Sequence, residues 1–390
     1  MFRKAEISRG TSTDIYFSCI PDADGTFEQQ ANSIFSEINS YAMHILYERI
    51  FLSKAGFVGP VREAREKFYA EFGITPPAAS YITAPPANGA MAAMVAIGVK
   101  PENDNSLKIT SSGGFYNSST KVEYDGFEQL YFGNAAGNLH QGFVPQMRDS
   151  LFRMKEVMEQ NGFDFKRDIV RTWFSITDIN GRRCDGRTNY MDFNEHVRSP
   201  FLDELGFKGQ YFASTGAGCG VNLDRRVAEI SATAYKRNGS LEVIPMDNPL
   251  QTPVYRYAEG ENPDKEKGNV KFERGMQVIT PSAVLFIVSG TASIRGNKIV
   301  GDTLEDQTRC TLDNLRWLLD SYKGRLSDSK IAITYVKPGE DKSLVERIME
   351  DNMPDAPRLI VFNELCYQKL KVETELIAAM PLDEFKRRKG

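Results

Sequence analysis

The chain has 390 residues, 41% hydrophobic and 26% charged, the balance of an ordinary soluble globular protein with core enough for two or three domains. A net charge of −4 supplies no basic field for nucleic acid or an anionic membrane surface. No apolar run approaches the length of a membrane span, and the opening "MFRKAEISRGTSTDIYFSC" lacks the apolar stretch of a signal peptide, so a cytoplasmic protein is expected.

In chain order, strands are predicted at 14–20, 44–52, 78–84 and 90–99, with helices at 25–42 and 61–73. The order is β-α-β-α-β-β. Residues 101–125 are rich in Ser, Asn and Gly and read as a linker. The order then returns: a strand at 128–134, a helix ending at Gly162, a strand at 168–179, a helix at 189–206, then strands at 209–215 and 225–235. Residues 237–277 form a long polar connection whose aromatic residues Tyr255, Tyr257 and Phe272 favour an ordered, packed segment. A third pass follows. "AVLFIVSG" precedes a helix with Leu312, Leu315, Leu318, Leu319 and Tyr322 on one face, and "SKIAITYV", a shorter helix, "RLIVFNELC" and "LKVETELIAA" complete it. Gln30, Gln146 and Gln307 each fall early in the first helix of their repeat. Three concordant passes define units at 8–100, 126–236 and 278–382.

The chemistry-bearing residues are few. The five cysteines, Cys19, Cys184, Cys219, Cys310 and Cys366, are far apart, and the three histidines, His44, His140 and His196, fall in no metal-ligand spacing. No metal and no cofactor are expected. "STGAGCG" leads into a strand, "RRVAEISATAY", so no helix start is available for a pyrophosphate. It reads instead as a turn whose Thr215 and Gly216 let a substrate approach the backbone. Glu373 and Glu375 stand two apart in an apolar strand and share a face. Burial and like-charge repulsion would raise the pKa of Glu373 and make it a general acid. Alternatively, both glutamates pair with Lys369, Lys371 or arginines of a neighbouring repeat. Arg171 and Arg198 suit anionic groups, and Tyr190 and Asn194 lie one turn apart on a helix face. Cys366 has no evident His or Asn partner and reads as a pocket wall.

Through "FIVSGTASI", "EDQTRCTLDNLRWLL" and "KVETELIAA" the chain resembles the RidA/YjgF superfamily. That resemblance implies an α+β chain of tandem RidA/YjgF-like (chorismate-mutase-like) units, three per chain, forming a pseudo-trimer. It also implies a catalytic glutamate at Glu373. Glu229 occupies the same slot in the middle unit and Ala93 in the first, which reads as a degenerate scaffold. Arg358 matches an arginine that binds a substrate carboxylate in deaminating members, and Ala79 replaces it in the first unit. A narrower resemblance is to the chorismatases, through "RTWFSITDIN", "YMDFNEHVR", "FASTGAG", "NPLQTPVYRY…KFERG" and the terminal Cys366, Leu370, Val372, Glu373 and Glu375. Tyr367 stands where that family has arginine, and Ser175 where it has an aromatic residue.

Three functions are expected in order. The first is a chorismatase-like enzyme cleaving the enolpyruvyl ether of chorismate or a related small carboxylate, with Glu373 as acid and Arg171, Tyr190, Arg198, Thr215, Gly216, Arg358 and Cys366 around the substrate. The second is a RidA-like imine or enamine hydrolase. The third is a non-catalytic protein that binds a small anionic metabolite. No nucleic-acid or membrane partner is expected, and the chain reads as a monomeric pseudo-trimer or weak homo-oligomer. The cation count of the cleft discriminates: the first function needs two arginines converging near Glu373, the second needs one.

Overall fold

The alternation in "FRKAEIS" makes a half-buried strand, β1 (Phe2–Ser8), which pairs antiparallel with β2 (Ser12–Cys19). In the computed structural model, residues 1–39, 43–103, 107–182, 186–236, 241–259 and 269–389 are described. Cys184 lies outside them. The first unit continues with α1 (Phe27–Asn39), β3 (His44–Leu52), α2 (Val58–Glu71), β4 (Ala78–Thr83) and β5 (Ala92–Pro101). Its sheet runs β1-β2-β5-β3-β4, with β3 and β4 parallel and β5 antiparallel to its neighbours.

The second unit opens with β6 (Lys108–Ser111), β7 (Ser118–Tyr124) and β8 (Phe127–Gly133). The long α3 (Phe143–Gln160) and the single turn α4 (Phe165–Asp168) lead into β9 (Ile169–Thr177). The second helix is three pieces: α5 (Asn189–Asp192), a π turn (Phe193–Arg198) and α6 (Ser199–Glu204). β10 (Ala213–Cys219) and β11 (Ala228–Lys236) complete the sheet β10-β9-β11-β8-β7-β6. The third unit has β12 (Glu242–Met246), β13 (Gly275–Ile279), β14 (Ala283–Ala292) and a small ribbon, β15 (Ile294–Arg295) with β16 (Lys298–Ile299). Then come α7 (Leu304–Ser321), β17 (Ser329–Val336), α8 (Lys342–Asn352), β18 (Arg358–Phe362), β19 (Val372–Pro381) and α9 (Leu382–Lys389). Its sheet runs β12-β13-β14-β19-β17-β18.

Two stretches differ from expectation. The segment 101–125, read as a linker, supplies β6 and β7, and 237–277 supplies β12 and β13. β6 is an edge strand whose alternate residues are exposed, while in β7 the buried hydroxyls of Ser118 and Thr120 accept the N–H groups of Ala79 and Ala78. The Ser, Thr and Lys of β6 and β7 hid the alternation, whereas β12 and β13 are apolar but only five residues each, at the two ends of a long polar stretch.

The repeat is exact in register. Tyr335 pairs with Glu373 and Val361; Ser175 pairs with Glu229 and Ala217; Phe51 pairs with Ala93 and Ile82. A bulge lies four residues upstream in each case, before Ile331, Arg171 and Tyr47. The three glutamines also do one job. Gln30, Gln146 and Gln307 are each 2% exposed, and their amide oxygens accept the N–H of Met91, Val227 and Lys371, the residue preceding each unit's last strand. A buried helix-borne amide thus ties the first helix to the strand that carries the acid slot. Each sheet touches the other two: β4 lies against β7 and β8, β10 against β13 and β14, and β17 against β1 and β2.

Candidate active site

Glu373 and Glu375 point from one face of β19 into different surroundings. Glu375 is 4% exposed and is the hub of a buried polar cluster. Its Oε1 takes Arg49 of β3 and the Tyr335 hydroxyl at 3.1 Å. Its Oε2 takes Arg171 of β9, the Trp173 indole N–H at 3.0 Å and the Thr215 hydroxyl at 2.5 Å. Burial pushes its pKa up, but Arg49 and Arg171 outweigh burial and hold it below the ordinary range. The Glu375 carboxylate is therefore paired by arginines of neighbouring units, as one expectation had it.

Glu373 has no ion pair among the described residues. It is 4% exposed, and its pKa is pushed up to about 8, first by burial and then by the Glu375 charge. The Cys366 thiol donates to its Oε2 at 3.9 Å. Room for the carboxyl comes from Gly290: a Cβ there would stand 2.0 Å from Glu373 Oε1. Gly290 lies in a bulge of β14, where the register shifts between Val288 and Thr291. Its N–H donates to Thr215 Oγ1 at 2.9 Å, which pins the bulge to β10.

A narrow cavity of about 40 Å³ opens beside Glu373. The third unit lines it with Glu373, Gly290, Cys366 and Tyr367, and the second with Tyr190, Arg198, Ser214 and Gly216. Val254, Val270, Phe272 and Arg274 close it from the segment entering the third unit. Gly216 carries no side chain because Tyr190 needs the space: a Cβ would meet the tyrosine ring at 3.2 Å. Arg198 leaves the π turn 3% exposed, donating to Asn194 Oδ1 at 2.6 Å and to Ser214 Oγ at 3.3 Å. No carboxylate pairs with it among the described residues; aromatic faces of Phe193, Phe174 and Phe272 surround it, and burial pulls its pKa down. A π turn costs regular hydrogen bonding, and it is common where a side chain must be aimed at a site. Asn194 also donates to the Tyr190 carbonyl at 2.8 Å, so one amide orients both the turn and the guanidinium.

Of the residues singled out in sequence, Glu373, Tyr190, Arg198, Gly216 and Cys366 line this cavity. Arg171 and Thr215 stand one layer behind it, on Glu375. Arg358 is elsewhere. It lies in a groove with Arg3 and Lys342, pairs with Glu350 and donates to the Met353 carbonyl at 2.7 Å. Burial, then Arg3, pull its pKa down to about 10. The register explains the separation. Arg358 stands three residues before Val361, the place of Ser214 in the second unit, and Ser214 rather than Arg358 faces the Glu373 cavity. Sequence reading missed Arg274, although it sits inside the quoted "KFERG"; nothing local tells that this arginine returns to the acid of β19. Burial, then the Glu373 charge, push the Cys366 thiol well above its ordinary pKa, so it is a protonated wall and donor rather than a thiolate. Among the described residues no cluster of His, Cys, Asp or Glu could hold a metal ion, and no helix is long and apolar enough to cross a membrane.

The fold is shared with chorismatase. A chorismatase crystal structure superposes with a TM-score of 0.63 over 97% of this chain and 98% of the other, at 15% identity. Members of the RidA/YjgF superfamily match about a third of the chain. A member of the YjgF/YER057c/UK114 family from Mycobacterium tuberculosis is 20% identical, covering 36% of this chain and 100% of its own, with a TM-score of 0.28. A Rid-family protein from Yersinia pestis is 16% identical, covering 36% and 100%, with a TM-score of 0.28. No family model and no curated protein matches the chain.

Proposed function

We propose that the three units form an intramolecular trimer, and that the chain is a chorismatase-like enzyme cleaving the enolpyruvyl ether of chorismate or a related small carboxylate. One observation carries the reading: a carboxyl with its pKa near 8 lines the same cavity as two arginines, Arg198 and Arg274. At neutral pH that carboxyl holds its proton and can give it away. The proton goes to the methylene carbon of the enol ether. The resulting oxocarbenium ion takes water, and the hemiketal collapses to pyruvate and the alcohol. Water returns a proton to Glu373, so the acid is regenerated. Admitting the substrate requires the narrow cavity to widen; Arg198 and Arg274 then hold its carboxylates, with Arg198 gaining the counter-charge that its buried position lacks. Tyr190, Gly216 and Cys366 shape the wall. The intramolecular trimer makes a monomer or weak oligomer sufficient, in a cytoplasmic setting.

The RidA-like alternative needs Arg358 at the acid, and Arg358 stands in a different groove. The third alternative, binding without catalysis, gives no use for a neutral carboxyl in the cleft. The test is incubation with chorismate and assay of pyruvate, beside an enamine-hydrolysis assay. Pyruvate release that vanishes in Glu373→Gln supports the reading. Enamine hydrolysis without ether cleavage transfers the site to the second function, and tight ligand binding without turnover to the third.

A further inference from the structure

The first unit has no acid of its own, because Ala93 fills the slot, yet one of its side chains reaches the cluster behind Glu373. Arg49, 4% exposed on β3, crosses to Glu375 Oε1 and donates to the Tyr335 hydroxyl at 3.2 Å. Its guanidinium lies 5.0 Å from the Trp173 ring centroid, and that of Arg171 also lies 5.0 Å from it, so both cations share one indole. With Oε1 held by Arg49 and Tyr335, Oε2 is left to Arg171, Trp173 and Thr215. Thr215 then receives the Gly290 N–H, and Gly290 is the floor on which the Glu373 carboxyl rests. The chain of contacts from the first unit to the acid is therefore continuous: Arg49, Glu375, Thr215, Gly290, Glu373.

We infer that Arg49 is a positioning residue through which the first unit sets the charge balance and geometry of the Glu373 cleft. This rests on the proposed role of Glu373. The cluster holds two cations and one anion, Arg49, Arg171 and Glu375. The other groups facing Glu373 are Arg198 and Tyr190 from the second unit's helix, Arg274 ahead of β13, and Cys366 and Tyr367 ahead of β19. Removing the Arg49 charge leaves the Glu375 anion answered by Arg171 alone. The local field becomes less positive, and the Glu373 proton is held more tightly.

The test reads Glu373 directly and does not require turnover. The buried carboxyl band in the infrared, assigned by its loss in Glu373→Gln, is followed from pH 5 to 10. In Arg49→Gln, which keeps a hydrogen-bonding amide, the midpoint should rise by about half a unit or more. In Arg49→Lys, which keeps the charge, it should stay with the wild type. A parallel midpoint shift should appear in the alkaline limb of kcat/KM. A purely structural Arg49 would lower Tm and leave the midpoint unmoved, and that result overturns the inference. If Arg49→Gln does not fold, Arg49→Met in a chain stabilised by sucrose, with the cleft left empty, gives the same reading. Absence of turnover in every protein, with the infrared shift intact, would sink the proposed reaction and leave this inference standing.

Discussion

Glu229 and Glu373 occupy the same register slot in adjacent units, and both are buried with raised pKa values, yet Glu373 lines a cavity while the space in front of Glu229 is filled by neighbouring side chains among the described residues. Four neighbouring positions make the difference. Gly216 beside Glu373 corresponds to Tyr81, whose ring packs on Phe115 at 5.2 Å. Gly290 corresponds to Asn134, whose side chain bonds Phe115 and Arg226. Ser289 holds β10 off through its hydroxyl, which accepts the Ser214 N–H at 2.8 Å. Its counterpart Gly133 lets the backbone of β4 close in, so that a Cβ there would stand 2.3 Å from the Ala79 carbonyl. At Glu375 the corresponding residue is Ser231, so the second acid has no carboxylate two residues on, and the charges that act on it are those of Arg49 and Arg226. A buried glutamate is thus not enough for a site. Space in front and a fixed anion behind distinguish the two.

The sharpest way to break this comparison is to neutralise each glutamate in turn. Glu373→Gln should lower turnover by roughly two to four orders of magnitude, the usual weight of general acid catalysis. Glu229→Gln should leave turnover unchanged. Equal losses in steady-state kinetics would end the distinction. Filling the open cleft comes next. Gly290→Ala should cost about a hundredfold in kcat/KM by displacing the Glu373 carboxyl, with the fold retained by circular dichroism. Wild-type kcat/KM in that variant would remove the steric argument.

Glu375→Gln tests what lies behind the acid. It strands Arg49 and Arg171 in the core, and loss of one member of a buried pair costs about 3–5 kcal/mol, read as a fall in the denaturant midpoint. Removing the anion should also lower the Glu373 midpoint. A smaller effect concerns pH. Glu373 titrates near 8 in the folded chain and near the ordinary carboxyl value when unfolded, so the unfolded chain releases its proton first. Its contribution to stability is full below the unfolded pKa and is lost as pH rises toward 8, with a slope of at most about 1.4 kcal/mol per pH unit. Glu373→Gln should flatten that slope in urea titrations between pH 5 and 8. Arg358→Ala should have the least effect of all, leaving kcat/KM within about twofold because the arginine is not in the Glu373 cleft.

The threefold repeat was legible because burial imposes local periodicity: apolar alternation in the strands, leucines on one helix face, and one buried glutamine per unit recur at matching places. Glu373 stood out for a related reason, since a carboxylate amid Val, Leu, Ile and Ala contradicts its surroundings. The Ser-, Thr- and Lys-rich strands β6 and β7 carry no such contradiction, and β12 is only five residues long at the edge of its sheet, so all three were hidden. The sequence could not decide which arginine meets which glutamate. Arg49, Arg171, Arg198, Arg274 and Arg358 look alike along the chain, and each could pair with any acid. Only the packing of sheet on sheet, which brings residues hundreds of positions apart within hydrogen-bond reach, gave Arg49 and Arg171 to Glu375, Arg198 and Arg274 to the cavity, and Arg358 to a groove of its own. Charge pairing is decided by distance in space, and distance in space is set by tertiary contacts that leave no local mark.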